Sequence, residues 1–485
     1  MSDLPSRSSP ARSGASESRP RPESSPSWTH RAWRALSPSQ LFVGSFLLLV
    51  ALGTLGFKVL PGLYTGPELG WLDALFTATS AICVTGLIVV DTATYFTTWG
   101  QAYILLLIQL GGLGIISFTS IIIVALGRRL SLRHESLAAG AAAVTSEINY
   151  RDLLRAVFVF TFGVEAVGAL ALYACWGPQL GWGAAAWPSV FHAISAFCNA
   201  GFSTFSDSLM GFQTNAPLLL VVMALVVVGG LGFLTLEELA LWRRAHPKRS
   251  RFRLSTHSQL VLGMTALLLV GGWGAFTFFE WSNTLGDMTW SSRLVNGLFA
   301  SVTPRTAGFN TIDYGATNTS TNFLTMIFMT IGGSPGSTAG GLKTTTVALL
   351  GLVALSRLRG LSTTNVAGRT IPESTVGRAT GLFVLAFGLM TVAIFAFAAT
   401  ELPGPLAPHP HDQFLDHMFE AVSAFNTVGL SMGVTGELSA AGRWTTVLCM
   451  FVGRVGPLTV AAAMSRNRSA PPGGFRYAQE DVVVG

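Results

Sequence analysis

Four short glycine segments recur along the chain at similar spacing, and their backbone carbonyls could bind a cation. Their glycines, Gly86, Gly201, Gly308 and Gly429, are separated by 115, 107 and 121 residues. Glycine adopts positive φ without steric penalty, so the chain can turn back there with its carbonyls aimed at one axis. A ring of such carbonyls replaces the water shell of a dehydrated potassium ion. The candidate ion-binding (selectivity-filter) residues are Val84, Thr85, Gly86, Asn199, Ala200, Gly201, Thr306, Ala307, Gly308, Thr427, Val428 and Gly429.

The fourth segment has the sequence most typical of a cation filter. Thr427-Val428-Gly429-Leu430 resembles a fragment of the potassium-channel TVGYG filter, whereas the other three segments keep only the glycine. A lone glycine in a membrane helix is more typical of helix packing, but four in matched contexts favour a filter. One chain would then supply four unequal quarters of a ring.

Each glycine segment follows an amphipathic stretch that is too short to cross a bilayer. These stretches cover residues 72–83, 189–197, 294–303 and 414–425, whereas a helical crossing needs about 20 residues. We expect half helices whose partially negative C-terminal ends point into the protein and favour a cation. Ser80, Ser195 and Ser423 precede their glycines by six residues, but Val302 holds that place in the third stretch. We therefore expect the third loop to be built differently.

Long apolar segments flank each half helix and indicate a membrane protein. Charged residues make up 11% of the chain and the mean hydropathy is +0.52, whereas soluble domains carry about 25% charged residues. The predicted fold is an all-α polytopic membrane protein with four M1-P-M2 repeats (span, pore loop, span) in a pseudo-four-fold arrangement around one ion pore. Eight spans are predicted, near residues 41–60, 101–127, 152–176, 214–242, 257–279, 321–356, 376–400 and 441–464.

Basic residues in the short connections give the orientation, because Lys and Arg stay on the cytoplasmic side. They precede the first span and follow the second, fourth, sixth and eighth, which predicts that both termini are cytoplasmic and that the glycine segments lie toward the outside. The chain then divides into a Ser-, Pro- and Arg-rich cytoplasmic tail at 1–36, expected to be disordered, repeats at 37–127, 128–243, 244–356 and 357–468, and a second cytoplasmic tail at 469–485.

The sixth span is interrupted by a glycine-rich run that cannot continue a regular helix. Irregular backbone at membrane depth is tolerated only where it is buried in protein or lines a wet cavity. We therefore expect this run to cross the ion path below the filter and act as a gate. The candidate gate residues are Gly332, Gly333, Ser334, Pro335, Gly336, Ser337, Thr338, Ala339, Gly340, Gly341, Lys343 and Arg454.

Two of these candidates are basic side chains inside apolar spans, where an unpaired charge is costly. Our hypothesis is that Arg454 donates hydrogen bonds to carbonyls of the 332–341 loop and holds it in the path. The alternative is a structural pair with a buried carboxylate such as Glu165, whose own role stays open. Lys343 either sets an electrostatic barrier below the filter or extends toward the cytoplasm.

Other polar residues of the half helices are compatible with structural roles. Asp73 and Asp416 either attract cations or cap their helices. Glu420 is expected to brace the filter rather than touch the ion. His192 and His417 have no second metal ligand at helical spacing, which favours a structural role for both.

Several function classes are disfavoured by the sequence. The net charge of +6 comes from loop anchors rather than a basic patch interleaved with aromatics, so no nucleic-acid partner is expected. Leu342 separates Gly341 from Lys343, which breaks the Walker A spacing. The four cysteines show no CxxC spacing, which disfavours a metal site or disulfides. A membrane-embedded enzyme would need a convergent nucleophile, base or metal ligands, and none is evident, so the chain is not expected to be an enzyme.

Four motifs resemble the Ktr/Trk/HKT superfamily of potassium transporters. Residues 72–81 with 83–87 are similar to its first pore loop, and residues 305–311 (Arg-Thr-Ala-Gly-Phe-Asn-Thr) are similar to its third. Residues 332–345 resemble its intramembrane loop, and residues 453–459 resemble its last helix. The likeness runs from about residue 40 to 466. Because no extra pair of helices precedes the first repeat, it is strongest to the Ktr-type membrane (pore) subunit.

This resemblance implies partners and an ion. Family members carry four repeats around one pore in a lipid membrane, commonly as homodimers, and bacterial members work with a cytosolic RCK-type ring subunit that binds nucleotide (ATP or ADP). Their intramembrane loop obstructs the pore and moves when the pore opens. Members with serine at the position of Gly86 tend to pass sodium, so glycine in all four quarters implies K+ as the transported ion.

The expected function is therefore a potassium-selective, channel-like transporter subunit. It would take up K+ across the cytoplasmic membrane, gated by the intramembrane loop under control of the ring subunit, with no organic cofactor in this chain. The alternative is a sodium or poorly selective monovalent cation transporter of the same fold, and coupling to Na+ stays open. The basic stretch at 243–253 either docks the ring subunit or only anchors the topology.

Overall fold

The computed structural model describes residues 38–114, 150–245, 254–401 and 413–464. The predicted tails at 1–36 and 469–485, the end of the second span after residue 114 and most of the basic stretch at 243–253 lie outside these ranges. The described chain is mostly helical, as the sequence predicts.

Four long apolar helices form the first span of each repeat. They are α1 (Pro38–Val59), α5 (Tyr150–Leu180), α9 (Thr256–Glu280) and α13 (Glu373–Glu401). Each is long and apolar enough to cross a membrane. Most of the side chains in their apolar stretches are not buried inside the protein, so these helices form the outer, lipid-facing layer.

Four shorter helices follow the long ones and end at the glycine segments. They are α2 (Trp71–Ile82), α6 (Trp182–Cys198), α10 (Trp290–Val302) and α14 (Phe414–Phe425). The sequence prediction was too short for α6, which has 17 residues and begins seven residues earlier than expected, with Pro188 inside it. The half helices α2 and α14 lie within one residue of their predicted bounds, whereas α10 begins four residues earlier than expected.

The second spans are broken more often than the sequence predicts. The first described one, α4, covers residues 98–114. The next three are each two helices: α7 (Ala216–Leu231) with α8 (Phe233–Ala245), α11 (Thr319–Thr330) with α12 (Thr344–Leu358), and α15 (Ala440–Val455) with α16 (Pro457–Met464).

Two of the breaks lie at glycines with positive φ. The α7–α8 pair bends by 100° at Gly232, which has φ of +84°. The α15–α16 break has Gly456 at φ +91° followed by Pro457, a residue that starts a helix readily but has no N–H to continue one. The predicted interruption of the sixth span is present, but the sequence analysis gave the fourth and eighth spans as continuous segments, and both are broken as well.

The remaining elements are short connectors. They are α3 (Thr92–Tyr95), 3-10 turns at Met210–Phe212, Tyr314–Ala316 and Thr435–Glu437, and an antiparallel hairpin of β1 (Asn365–Val366) and β2 (Arg369–Thr370).

Packing between repeats places the half helices around a common centre. The half helix α2 packs against α15 of the fourth repeat, α10 packs against α7 of the second, and α14 packs against α11 of the third. Phe76, Phe191, Phe299 and Phe419, one from each half helix, are fully or almost fully buried. The four half helices therefore form the inner layer of the protein.

Candidate ion pathway

The four glycine segments share one unusual backbone conformation. Their first residues, Val84, Asn199, Thr306 and Thr427, have φ of +56°, +60°, +72° and +49°. In the described ranges only two other non-glycine residues have positive φ, a conformation that is uncommon outside glycine. The third residue is glycine at φ +96°, +72°, +81° and +92° in chain order. Four dissimilar sequences therefore adopt the same turn.

These four turns meet around a common centre. A Cβ built on Gly86 would lie 3.1 Å from the Cα of Gly201, and one on Gly201 would lie 2.9 Å from the Cα of Gly308. One on Gly308 would lie 3.4 Å from the Cα of Gly429, and one on Gly429 would lie 3.1 Å from the Cα of Gly86. The glycines thus form a closed ring in chain order. Each missing Cβ leaves room for a carbonyl oxygen of the next segment, in the same order those of Ala200, Ala307, Val428 and Thr85.

A hydroxyl from the half helix anchors the outgoing limb of each turn. The Ser80 hydroxyl donates to the carbonyl of Leu87 at 2.7 Å and accepts from the N–H of Gly86 at 3.1 Å. Ser195 donates to the carbonyl of Phe202 at 2.8 Å. In the fourth repeat the N–H of Gly429 donates to the Ser423 hydroxyl at 3.1 Å. These buried bonds fix the turns that the helix ends leave without regular partners.

The third repeat keeps this anchor through a residue that the sequence analysis did not select. The hydroxyl of Thr303, not the side chain of Val302, donates to the carbonyl of Phe309. Thr303 precedes Gly308 by five residues, so this turn is one residue shorter, and the N–H of Ala307 bonds to the Thr303 carbonyl at 2.9 Å. The third repeat therefore differs from the others in the spacing between the hydroxyl and the glycine, as expected. It nevertheless has the same kind of backbone turn and the same hydroxyl anchor.

Close contacts with the second spans hold the ends of three half helices. A Cβ on Gly111, Gly229 or Gly453 would collide with a carbonyl at the end of a half helix, that of Ile82, Phe197 or Phe425 respectively. Glycine permits this approach because it carries no side chain. The next residue in the chain is glycine in the first and second repeats and arginine in the fourth. Arg454 therefore projects from a position at which the first two repeats have no side chain.

The 332–341 loop lies against the ring at its second and fourth quarters. The Thr338 hydroxyl donates to the carbonyl of Phe197 at 3.1 Å. A Cβ on Gly340 would collide with the Thr427 hydroxyl and lie 2.9 Å from the carbonyl of Asn426. The two limbs of the loop pair through a parallel bridge between Ile331 and Leu342. The loop therefore sits where the half helices end, next to the ring.

Arg454 and Lys343 both bond to this loop. Arg454 is buried, and its Nη1 donates to the carbonyl of Thr338 at 2.5 Å. Lys343 Nζ donates to the carbonyl of Ala339 at 2.7 Å. The two side chains also line a cavity of about 280 Å³ beside the loop. The contact expected between Arg454 and the loop is present in the structure.

The buried carboxylates have polar rather than cationic partners. Glu165 accepts two hydrogen bonds of 3.1 Å from the Gln109 amide, and the ion pairs found in the described ranges do not join it to Arg454. Glu420 accepts a 2.5 Å bond from the Thr435 hydroxyl. The pairing of Arg454 with Glu165 considered above is therefore not observed.

The acidic residues at the starts of the half helices differ from each other. Asp73 does not cap α2 but forms a 2.6 Å ion pair with Arg443 of α15. Asp416 lies in the first turn of α14, and the N-cap residue of that helix, Gln413, makes no side-chain capping bond. The ion pair of Asp73 therefore links the first repeat to the fourth.

The two half-helix histidines, His192 and His417, contact backbone carbonyls one turn earlier in the chain. His192 Nδ1 lies 2.8 Å from the carbonyl of Pro188 and its Nε2 lies 2.9 Å from the Ser203 hydroxyl. His417 Nδ1 lies 2.8 Å from the carbonyl of Gln413. The four cysteines, Cys83, Cys175, Cys198 and Cys449, are free thiols.

Residues 39–470 match the protein-family model described as TrkH, cation transport protein. The match covers most of the chain, including all four turns and the loop. The chain belongs to this family. It is therefore a membrane cation transporter of the Ktr/Trk type, and the resemblance found in the sequence is confirmed.

Individual members of the family are similar over almost their whole length. The potassium/sodium uptake protein NtpJ of Enterococcus hirae is 36% identical over 94% of this chain and 99% of its own. The Ktr system potassium uptake protein B of Bacillus subtilis is 37% identical over 93% of this chain and 98% of its own.

A solved structure supports the architecture. The crystal structure of the potassium transporter TrkH from Vibrio parahaemolyticus superposes with a TM-score of 0.71 and 20% identity, covering 89% of this chain and 86% of that one. The predicted fold class, four pore-loop repeats in an all-α membrane protein, is confirmed.

Proposed function

We propose that this chain is the pore subunit of a potassium uptake system, in which K+ crosses the membrane through the ring of four glycine turns. The observation that carries the proposal is the closure of that ring by four turns of similar backbone conformation. Of two relatives that match nearly end to end, one is named a potassium/sodium uptake protein and the other a potassium uptake protein. In this proposal K+ is the transported substrate.

The chemistry of the ring suits a dehydrated monovalent cation. Backbone carbonyls supply partial negative charge without a fixed carboxylate, so an ion can bind and leave. The ends of the half helices add further negative potential at the same place. The ion ligands in this proposal are the carbonyls of the twelve residues of the four segments, and their side chains can differ because the backbone supplies the oxygens.

The gate in this proposal is the 332–341 loop, held by Arg454 and Lys343. It lies against the ring, where the bond from Arg454 ties it to the fourth repeat, and the bond from Lys343 to Ala339 closes the end of the loop on itself. The 280 Å³ cavity on which both side chains border gives the loop space to move. A displacement of the loop toward that cavity would open the path for the ion.

The remaining parts of the proposal concern assembly and orientation. The name of the Bacillus subtilis relative describes one component of a Ktr system, which supports a second, regulatory component here. We propose that this component is a cytosolic ring that binds ATP or ADP, that the pore subunit is a homodimer in the cytoplasmic membrane, and that both its termini are cytoplasmic, as the basic connections indicate.

A second candidate is a pathway that also carries sodium. It is favoured by the name of the Enterococcus hirae relative, a potassium/sodium uptake protein, and by the three segments that depart from the Thr-Val-Gly sequence. The two candidates differ in how strongly external Na+ inhibits uptake of K+.

The experiment is growth rescue of a potassium-uptake-deficient bacterium at low external K+, combined with rubidium uptake in the presence of Na+. Gly86→Ser should weaken the preference for K+, because a side chain at Gly86 collides with the carbonyl of Ala200. Gly62→Ser is the control, since Gly62 also has positive φ (+75°) but open space around it. Absence of rescue by the wild-type chain with its regulatory partner would refute the proposed function.

A further inference from the structure

The bend between α7 and α8 releases backbone groups that a straight helix would pair internally. In a regular helix the N–H of Phe233 would donate to the carbonyl of Gly229, and the N–H of Leu234 would donate to the carbonyl of Gly230. The 100° bend prevents both bonds. The loop takes their place: Thr338 N–H donates to Gly229 O at 3.3 Å, Ser334 N–H to Gly230 O at 2.9 Å, and Phe233 N–H to Gly336 O at 3.1 Å.

These bonds make the bend and the loop depend on each other. Gly229, Gly230 and Phe233 are buried, so losing either set of partners is costly. If the loop leaves, these three residues recover protein partners by continuing the helix. If the helix straightens, Ser334, Gly336 and Thr338 of the loop lose theirs. The two sets of hydrogen bonds exclude each other.

The bend also has its own supports. Gly232 has φ of +84°, and a Cβ there would lie 2.5 Å from the carbonyl of Pro335. Farther along α8, Glu238 accepts hydrogen bonds from the backbone N–H and the hydroxyl of Ser255, the latter at 2.7 Å, and from the Ser258 hydroxyl. Ser255 caps α9. Glu238 therefore fixes α8 to the start of α9 in the bent position.

We infer that α7–α8 and the 332–341 loop form a two-state switch, in which straightening of the helix releases the loop from the ring. Glu238 is a positioning residue that holds the bent state. The inference rests on the proposed function only in treating the loop as the gate. The mutual exclusion itself follows from the hydrogen bonds and can be tested without transport.

Spin labels on α7 and α8 measure the bend directly. Leu220 and Leu241 are about half exposed, on the two sides of Gly232. At a rise of 1.5 Å per residue, their Cα atoms would be roughly 31 Å apart in a straight helix and roughly 21 Å apart at a 100° bend. Pulsed electron–electron double resonance spectroscopy resolves such a difference. It is measured on the full chain in lipid nanodiscs, in a background without the four native cysteines.

The first variant perturbs the loop from its far side. Gly340→Ala places a methyl group against the Thr427 hydroxyl and touches neither α7 nor α8. We expect the longer distance between the labels to gain population at least threefold, because coupling between two sites is reciprocal. An unchanged distance distribution would overturn the inference, whether or not the protein transports K+.

The second pair of variants perturbs the bend. Gly232→Ala should lengthen the label distance and raise the rubidium efflux of the chain alone from proteoliposomes by at least threefold. Gly456→Ala is the matched control: Gly456 has φ of +91° at the corresponding break of the fourth repeat, but the nearest atom to its Cβ would be the Thr459 hydroxyl at 3.7 Å. Equal behaviour of the two variants would count against the switch.

The third pair tests Glu238. Glu238→Ala should raise efflux and lengthen the label distance, with the concentration of rubidium at half-maximal flux unchanged, because the ring is untouched. Glu237→Ala is the control, since Glu237 is its exposed neighbour on the same helix. A Glu238→Ala variant that changed the half-saturating concentration but not the label distance would overturn its assignment as a positioning residue.

Discussion

Adding one methyl group to Gly429 should disrupt the ring while an equally strained substitution four residues later should not. Gly429 and Gly433 have φ of +92° and +98°, so alanine at either position carries a backbone strain of roughly 1–2 kcal/mol. Only at residue 429 would the new Cβ collide with another segment, at the carbonyl of Thr85 and 3.1 Å from the Cα of Gly86. At residue 433 it would meet no atom within 4 Å.

The difference between the two variants isolates the ring. Overpacking a tight site costs about 1–3 kcal/mol, which corresponds to a roughly 5- to 150-fold lower population of the intact ring at 1.4 kcal/mol per tenfold. We expect Gly429→Ala to lower rubidium uptake per molecule at least fivefold and to increase inhibition by Na+. Gly433→Ala should stay within about twofold of wild type.

The assay is rubidium uptake in potassium-uptake-deficient cells, normalised to the amount of protein in the membrane. Thermal unfolding of both purified variants serves as the stability control, because both carry the same φ strain. Equal uptake by Gly429→Ala and Gly433→Ala, at equal abundance, would refute the argument that the contact between the fourth and first segments shapes the ion path.

Three further substitutions probe the anchor, the gate and the outer ion pair. Thr303→Val leaves a buried carbonyl without its donor, at a cost of about 1–3 kcal/mol, and should increase inhibition of rubidium uptake by Na+. Arg454→Ala removes a buried bond to the 332–341 loop and should raise rubidium efflux of the chain alone from proteoliposomes. Asp73→Asn breaks a pair with Arg443 in which both side chains are about one quarter exposed; it should lower the free energy of unfolding by less than about 1 kcal/mol and leave uptake within about twofold.

The first two substitutions have matched control variants, and the third has an outcome that would contradict its structural role. Thr391→Val removes a hydroxyl that bonds within a lipid-facing helix and should leave Na+ inhibition unchanged. Arg454→Lys keeps the charge with fewer donors and should fall between wild type and alanine; identical flux in all three would contradict the role given to Arg454. For Asp73→Asn, a loss of uptake greater than tenfold at unchanged stability would show that Asp73 acts on the ion instead.

The ring could be predicted from the sequence because its chemistry depends on one residue type. Gly86, Gly201, Gly308 and Gly429 are needed for positive φ and for close approach, and no other residue satisfies both requirements. The anchor of the third turn was missed because the prediction assumed equal spacing. The turn lost one residue between helix and glycine, and Thr303 supplies the hydroxyl from the adjacent position.

The breaks in the second spans were harder to predict because hydropathy does not register them. The segment around Gly232 is apolar enough to be one span, and a glycine alone is common in membrane spans. At the eighth span, Gly456-Pro457 is a local signal that the sequence analysis did not use. What breaks the helix at Gly232 is the loop from another repeat, which bonds to the released backbone groups. Such a tertiary partner is 103 to 109 residues away in the chain and leaves no local pattern.

Divergence among the four repeats suits both parts of the proposed ion path. A ring of carbonyls needs only similar backbone conformation, so the side chains of Val84, Asn199, Thr306 and Thr427 can differ without changing the oxygens. The proposed gate is instead a single loop, which needs an element that the other repeats lack. In the third repeat the second span breaks into the loop, and in the fourth Arg454 follows Gly453 and reaches the carbonyl of Thr338. In this proposal, divergence of the repeats costs the filter little and supplies the parts of the gate.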